Sequence, residues 1–251
     1  MLSMPPRVTR TFLATTAAAA VAVGISGCGG QAPAEPEPFV VGIQPDSTEQ
    51  KLLGELYRVL LLSVGQPAVV EELEQSDTPA TDAVRSGDAD MAIACTGALL
   101  EQLNPQLAAE AVEDTTDSNL NSDTFSETVY EYAVASFPGT VMTVDPSPAE
   151  GCAAAGEKPG EGELPDNIIP VFNKGELNRG QVNRLNFVNR VLTTEELAEM
   201  VEEVDAGADV RDVMAQWLLQ RTKVSVDTGN TRSEDEGDEG ASDNVIEQPP
   251  V

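Results

Sequence analysis

Asp46, Ser47, Thr48 and Glu49 stand between a short apolar stretch and a leucine-rich run. They are the first polar groups in the chain spaced to bind something. A strand that feeds a helix aims the helix's free N–H groups, and its positive dipole end, beyond the strand's carboxyl edge. Asp46, Thr48 and Glu49 are therefore candidate ligand contacts. A second chemical signal is Cys28. Arg7 and Arg10 precede an Ala-rich apolar run from Thr11 to Gly24, too short to span a membrane comfortably, and Ile25-Ser-Gly-Cys28 closes it. This is the layout of a bacterial lipobox, whose Cys is diacylated on its thiol and becomes the mature N-terminus. Lipid there would tether the protein to the outer face of the cytoplasmic membrane. In an exported domain the two remaining cysteines, Cys95 and Cys152, are expected to pair.

The sequence contains no histidine. That removes the commonest general base and metal ligand, so Ser-His catalysis and zinc chemistry are excluded. No enzyme activity, metal or other cofactor is expected, and an Asp or Glu pair is the one acid–base device left open. With 14 Lys and Arg against 43 Asp and Glu, the chain carries a formal charge of -29. No basic stripe exists to neutralise phosphates, which argues against nucleic acid as a partner.

The elements that must position these groups follow the helical and strand periods. Phe39 to Ile43, bounded by Pro38 and Pro45, reads as a short buried strand. Ser47 with Gln50 makes a capping box, and Leu52, Leu53, Leu56, Tyr57, Val59, Leu60 and Val64 recur at helical spacing up to Gly65. Ala68 to Leu73 reads as a second strand, Thr81 to Ser86 as a short helix, and Asp88 to Gly97 as an acidic turn, a buried strand and a sharp exit. Helical pieces are expected at 108–112 and 126–136, a loop at 114–123, a strand at 141–144, and a surface loop at 145–165. Asn167 to Phe172 contains Pro170 and so reads as an edge or crossing strand. Helices at 181–191, after the capping box Thr193-Thr-Glu-Glu196, and at 210–219 follow, the last with Trp217 inward. The acidic run Glu234-Asp-Glu-Gly-Asp-Glu239 lacks the spacing of a calcium loop and reads as a disordered tail.

Val41-Gly-Ile-Gln-Pro-Asp-Ser-Thr-Glu-Gln50 followed by Leu53-Gly-Glu-Leu-Tyr57 resembles the opening of the glycine betaine, carnitine and choline substrate-binding proteins of ABC importers. Ser47 stands where that family has Phe. The resemblance continues through Gly87-Asp-Ala-Asp90 and the following strand, and returns at Leu192-Thr-Thr-Glu-Glu-Leu197, Val204-Asp205 and Trp217-Leu218. It implies an α/β, periplasmic-binding-protein-like fold of type II. The expected layout is a signal peptide at 1–27, a stalk at 28–38, a main lobe at 39–104 and 167–222, a shortened second lobe at 105–166 and a tail at 223–251. In the family, a Tyr-Thr-Gly word ends the third strand in the binding cleft; here it reads Cys95-Thr96-Gly97. The resemblance therefore adds Cys95, Thr96 and Gly97 to the ligand candidates. Tyr130 and Tyr132 are rings that could come from the other lobe. Quaternary ammonium groups are held by cation–π contact in an aromatic box, and Cys95 removes one wall.

Two functions fit. One is a lipid-anchored solute-binding protein that hands a small solute, a quaternary amine or a polar amino-acid-like molecule, to an ABC permease. The other is a lipoprotein that kept the fold, lost the ligand, and acts as an envelope adaptor.

Overall fold

Phe39–Ile43 (β1) enters the core because Val41 and Ile43 alternate into it, and Pro45 stops the strand. The structure, a computed structural model, describes residues 37–74, 78–118, 121–152 and 163–222, with the backbone alone at 114–118. The signal peptide, Cys28, most of the stalk, the stretch 153–162 and the acidic tail lie outside the described residues.

After β1 come α1 (Thr48–Ser63), β2 (Ala68–Glu72), α2 (Ala80–Ser86), β3 (Met91–Cys95) and α3 (Thr96–Leu103). Then follow α4 (Pro105–Ser118), α5 (Ser122–Ala135), β4 (Val141–Thr143), β5 (Ile168–Asn173), α6 (Arg179–Asn189), α7 (Thr194–Asp205) and α8 (Val210–Thr222). The strands form one sheet in the order β2-β1-β3-β5-β4. β1, β2 and β3 run parallel, while β5 is antiparallel to both β3 and β4.

α1 is the core's central helix. Leu52, Leu53, Leu56, Tyr57, Leu60 and Leu61 are fully buried between the sheet and α6, α7 and α8. Each such side chain contributes about 1.5–3 kcal/mol by leaving water. The Ser47 hydroxyl caps α1 by accepting from the Gln50 N–H at 3.2 Å. The Gln50 side chain instead serves the Gln44 N–H, so the expected capping box is half formed. At α7 both halves of the box form between Thr193 and Glu196.

Two expectations are corrected. α4 runs on to Ser118 through residues read as loop, carried by packing of Ala108 and Ala111 in a small core with Leu100 of α3 and Val129 and Ala133 of α5. Where the shortened second lobe is expected, the described residues of 105–166 hold this helical subcore and β4, the fifth strand of the shared sheet. β5 is an interior strand rather than an edge, with Pro170 opposite Ile93. Pro has no N–H to give. The Val144 carbonyl, just past the last paired residue of β4, takes the Tyr130 hydroxyl instead, at 3.2 Å.

The Pro-rich segment after β4 also differs from the expected surface loop. Ser147 and Ala149 are buried, and Ala149 donates its N–H to the Leu192 carbonyl. Polar residues of α6 make this burial possible by satisfying the backbone. Asn189 donates to the Asp145 carbonyl at 2.7 Å and accepts the buried Tyr57 hydroxyl at 2.7 Å. Asn186 accepts the Asp145 N–H, and Arg190 pairs with the Asp145 carboxylate.

Candidate functional site

The parallel strands β1 and β3 end side by side, and each feeds a helix whose N-terminus points past the sheet's carboxyl edge. This is the corner that the sequence marks out. At its β1 side, Asp46 is exposed in the left-handed region, with φ 61, making the turn into α1. Thr48 donates its hydroxyl to Asp205 at the end of α7, at 2.7 Å. Glu49 points inward, and its Oε1 accepts the Cys152 N–H at 2.9 Å.

At the β3 side, Thr96 is fully buried. Its hydroxyl donates to the Pro165 carbonyl at 2.9 Å and accepts the Asn167 N–H at 3.1 Å. It fastens the approach to β5 onto the start of α3 and leaves no hydroxyl for a ligand, which corrects its candidacy. Gly97 is likewise closed off. A β-carbon there would lie 2.7 Å from Leu164 Cβ and 2.9 Å from Asp166 Oδ1.

Asp166 is the residue that sequence reasoning missed. Its carboxylate accepts the Ala98 N–H at 2.7 Å and also the Gly97 N–H. An anion at a helix N-terminus is the arrangement that free amides and the helix dipole favour. Here the anion belongs to the chain. The sequence signal was slight: a lone Asp just before a strand, distant from α3 along the chain.

Cys95 and Cys152 form a disulfide, with Cα atoms 6.1 Å apart. Cys95 is buried at the last pair of the β3–β5 ladder, opposite Ile168, and cannot line a cleft as a free thiol. The bond draws Gly151 against Glu49, so that a β-carbon at 151 would sit 2.7 Å from Glu49 Oε1. The Gly151 N–H donates to the Asp166 carbonyl. Glu150 to Cys152 thus covers the corner from above.

Burial pushes the Glu49 carboxyl above its usual range; the Cys152 N–H opposes this and the charge of Asp166 adds to it. Burial likewise raises Asp166, with the Ala98 and Gly97 amides opposing and Glu101 and Glu150 reinforcing. The corner therefore holds two partly desolvated carboxylates, each answered by backbone N–H groups. Among the described residues no cluster of His, Cys, Asp or Glu is arranged to hold a metal ion.

The two tyrosines do not supply the expected rings. Tyr130 packs against the α2 side of the sheet near Val84, Ala92 and Val171, and its hydroxyl is taken by Val144. Tyr132, two residues on, turns to the α3–α4–α5 subcore. On a helix such neighbours cannot face one ligand. A depression of about 310 Å3 lies beside α3 and α4 and is lined by Glu101, Pro105, Ala108, Ala109, Val112 and Leu164. It contains none of the residues expected from the sequence.

No protein-family model and no curated protein matches the sequence. Among solved structures, apo YehZ from Escherichia coli superposes with a TM-score of 0.58 at 15% identity, over 73% of this chain and 98% of that one. A TRAP periplasmic solute-binding protein from Chromohalobacter salexigens, solved with bound D-glucuronate, matches at a TM-score of 0.33 and 14% identity, over 73% of this chain and 94% of that one. The sheet order and the superposition on YehZ assign the chain the α/β fold of periplasmic solute-binding proteins.

Proposed function

We propose that this is a lipid-anchored envelope protein that keeps the solute-binding fold without a quaternary-ammonium cleft, and that it works as an interaction module rather than as a carrier of betaine or choline. The observation that carries this reading is the Asp166 carboxylate on the Gly97 and Ala98 amides. In the resembling family that corner belongs to the ligand. Here Thr96, Gly97, Cys95 and the α3 N-terminus are all engaged by the chain's own groups. A bound solute would have to displace these contacts before making its own. The lack of any histidine, the commonest general base, favours binding over catalysis.

Delivery of a small solute to an ABC permease is the second reading. It is favoured by the partly buried carboxylates of Glu49 and Asp166, which suit a cationic amine head better than an anion. Calorimetry on the mature protein separates the two. Glycine betaine, choline and carnitine should give no binding heat. Saturable binding of any of them would overturn the first reading, whereas recovery of a specific envelope protein by in-cell crosslinking would support it.

A further inference from the structure

The disulfide's two sulfurs sit in opposite surroundings. Cys95 is 2% exposed, inside the β3–β5 ladder. Cys152 is exposed, the last residue of the segment that covers the corner. Its φ of 60 puts it in the left-handed region, a conformation that costs a residue with a β-carbon energy and persists only under outside constraint. Among the described residues two contacts constrain it: the bond to Cys95, and the N–H it donates to Glu49. The residues just before it are held differently. Ala149, Glu150 and Gly151 donate their N–H groups to the Leu192 carbonyl, the Thr194 hydroxyl and the Asp166 carbonyl.

We propose that the Cys95–Cys152 disulfide is an exchangeable thiol switch, in which an external dithiol attacks Cys152 and Cys95 leaves, and that its opening releases the Glu49 carboxylate from the Cys152 N–H. Thiol–disulfide exchange needs access to the attacked sulfur along the S–S axis, and Cys152 is the exposed partner. The reductant's thiolate bonds to Sγ of Cys152, the S–S bond breaks, and the Cys95 thiolate leaves and takes a proton. The reductant's second thiolate then displaces the Cys152 thiolate, which is protonated in turn. The reductant ends as a disulfide, having passed two electrons and two protons to the protein. Cys152 then relaxes out of the left-handed region, and its N–H leaves the partly exposed Glu49 carboxylate. Segment 145–151 and the sheet stay in place, because their contacts to α6, α7 and β5 do not pass through the sulfurs. The switch is independent of whether the corner ever holds a solute.

The test uses the purified, oxidised full-length mature chain. It is incubated with dithiothreitol, or separately with reduced glutathione, in native buffer, then alkylated and mapped by peptide mass analysis. Both thiols should become alkylatable under dithiothreitol while the far-ultraviolet circular dichroism is unchanged, and glutathione should be found on Cys152 rather than Cys95. Amide hydrogen exchange on the reduced protein should show loss of protection at Cys152, with β1 and β3 still protected. Glutathione mainly on Cys95, thiols that appear only after denaturant is added, or a cooperative loss of the circular dichroism signal on reduction would each overturn the proposal. The last two would mark the bond as purely structural.

Discussion

Gly97→Ala is the sharpest test of whether the β3–α3 corner is filled by the chain itself. The new β-carbon would meet Leu164 Cβ at 2.7 Å, Asp166 Oδ1 at 2.9 Å and the Pro165 carbonyl oxygen at 3.0 Å. Leu164 Cβ and the Pro165 oxygen are fixed by the backbone, so the strain cannot be relieved by turning a side chain alone. The carboxylate, the one atom group free to swing, moves off the amides it caps. Losing such a cap costs about 1 kcal/mol. Overpacking against the remaining atoms costs about 1–3 kcal/mol. Alanine returns about 0.5–1 kcal/mol because Gly97 lies within a helix at ordinary φ. The balance is a loss of about 2 kcal/mol, which for a domain of this size lowers Tm by roughly 4–8 °C. Thermal unfolding of the oxidised protein, followed by circular dichroism, reads the shift. Combined with Asp166→Ala, the loss should be smaller than the two separate losses together, since both remove the same cap. A Tm for Gly97→Ala equal to or above that of the wild type would show that position 97 faces open space, and the closed-corner reading would fail.

Glu49→Gln keeps an acceptor for the Cys152 N–H but removes a desolvated charge. The carboxyl is raised above its ordinary value of 4.5 in the folded state, so its stabilising contribution is full below that value and is lost as pH rises through the raised one. The variant should therefore gain stability over wild type in urea at pH 7, with the gain vanishing near pH 4. A gain that grows on acidification would contradict the assigned cause. Cys152→Ser opens a loop with a sequence separation of 57 and should cost up to about 4 kcal/mol in denaturant unfolding while the native sheet persists. A variant with no native circular dichroism at all would mean that the bond is required for folding. Cys95→Tyr would break the same bond and force a ring into a buried position, so it is expected to destabilise the protein without creating betaine binding by calorimetry. Cys28→Ser should leave the precursor unprocessed or release the protein from the membrane fraction, and unchanged retention would rule out lipid attachment at that residue.

Local order was readable wherever one residue's chemistry decides it. Pro45 and Ser47 set the β1–α1 junction, Thr193 and Glu196 the start of α7, and the leucines of α1 its burial on nearly every side. Strand and helix periods depend on neighbours a few residues away, and such neighbours are visible in a sequence. The pairing of the two cysteines was expected from their small number and from an expected export, although the sequence carries no distance. Misreadings gathered in the middle of the chain. There α4 persists through polar residues because α3 and α5 pack beside it, and a Pro-rich segment is buried because asparagines of α6 satisfy its backbone.

The sequence by itself determined much of the chain's strand–helix rhythm and its caps. Tertiary structure alone decided what the corner is. Asp166 reaches the amide of Ala98 across 68 positions, and Cys152 reaches Glu49 across 103. Neither contact obeys a local period. Each arises because β5 inserts antiparallel beside β3 and brings its preceding residues to the start of α3. The same insertion turns a corner whose residues resemble a ligand cleft into one occupied by the chain's own carboxylate.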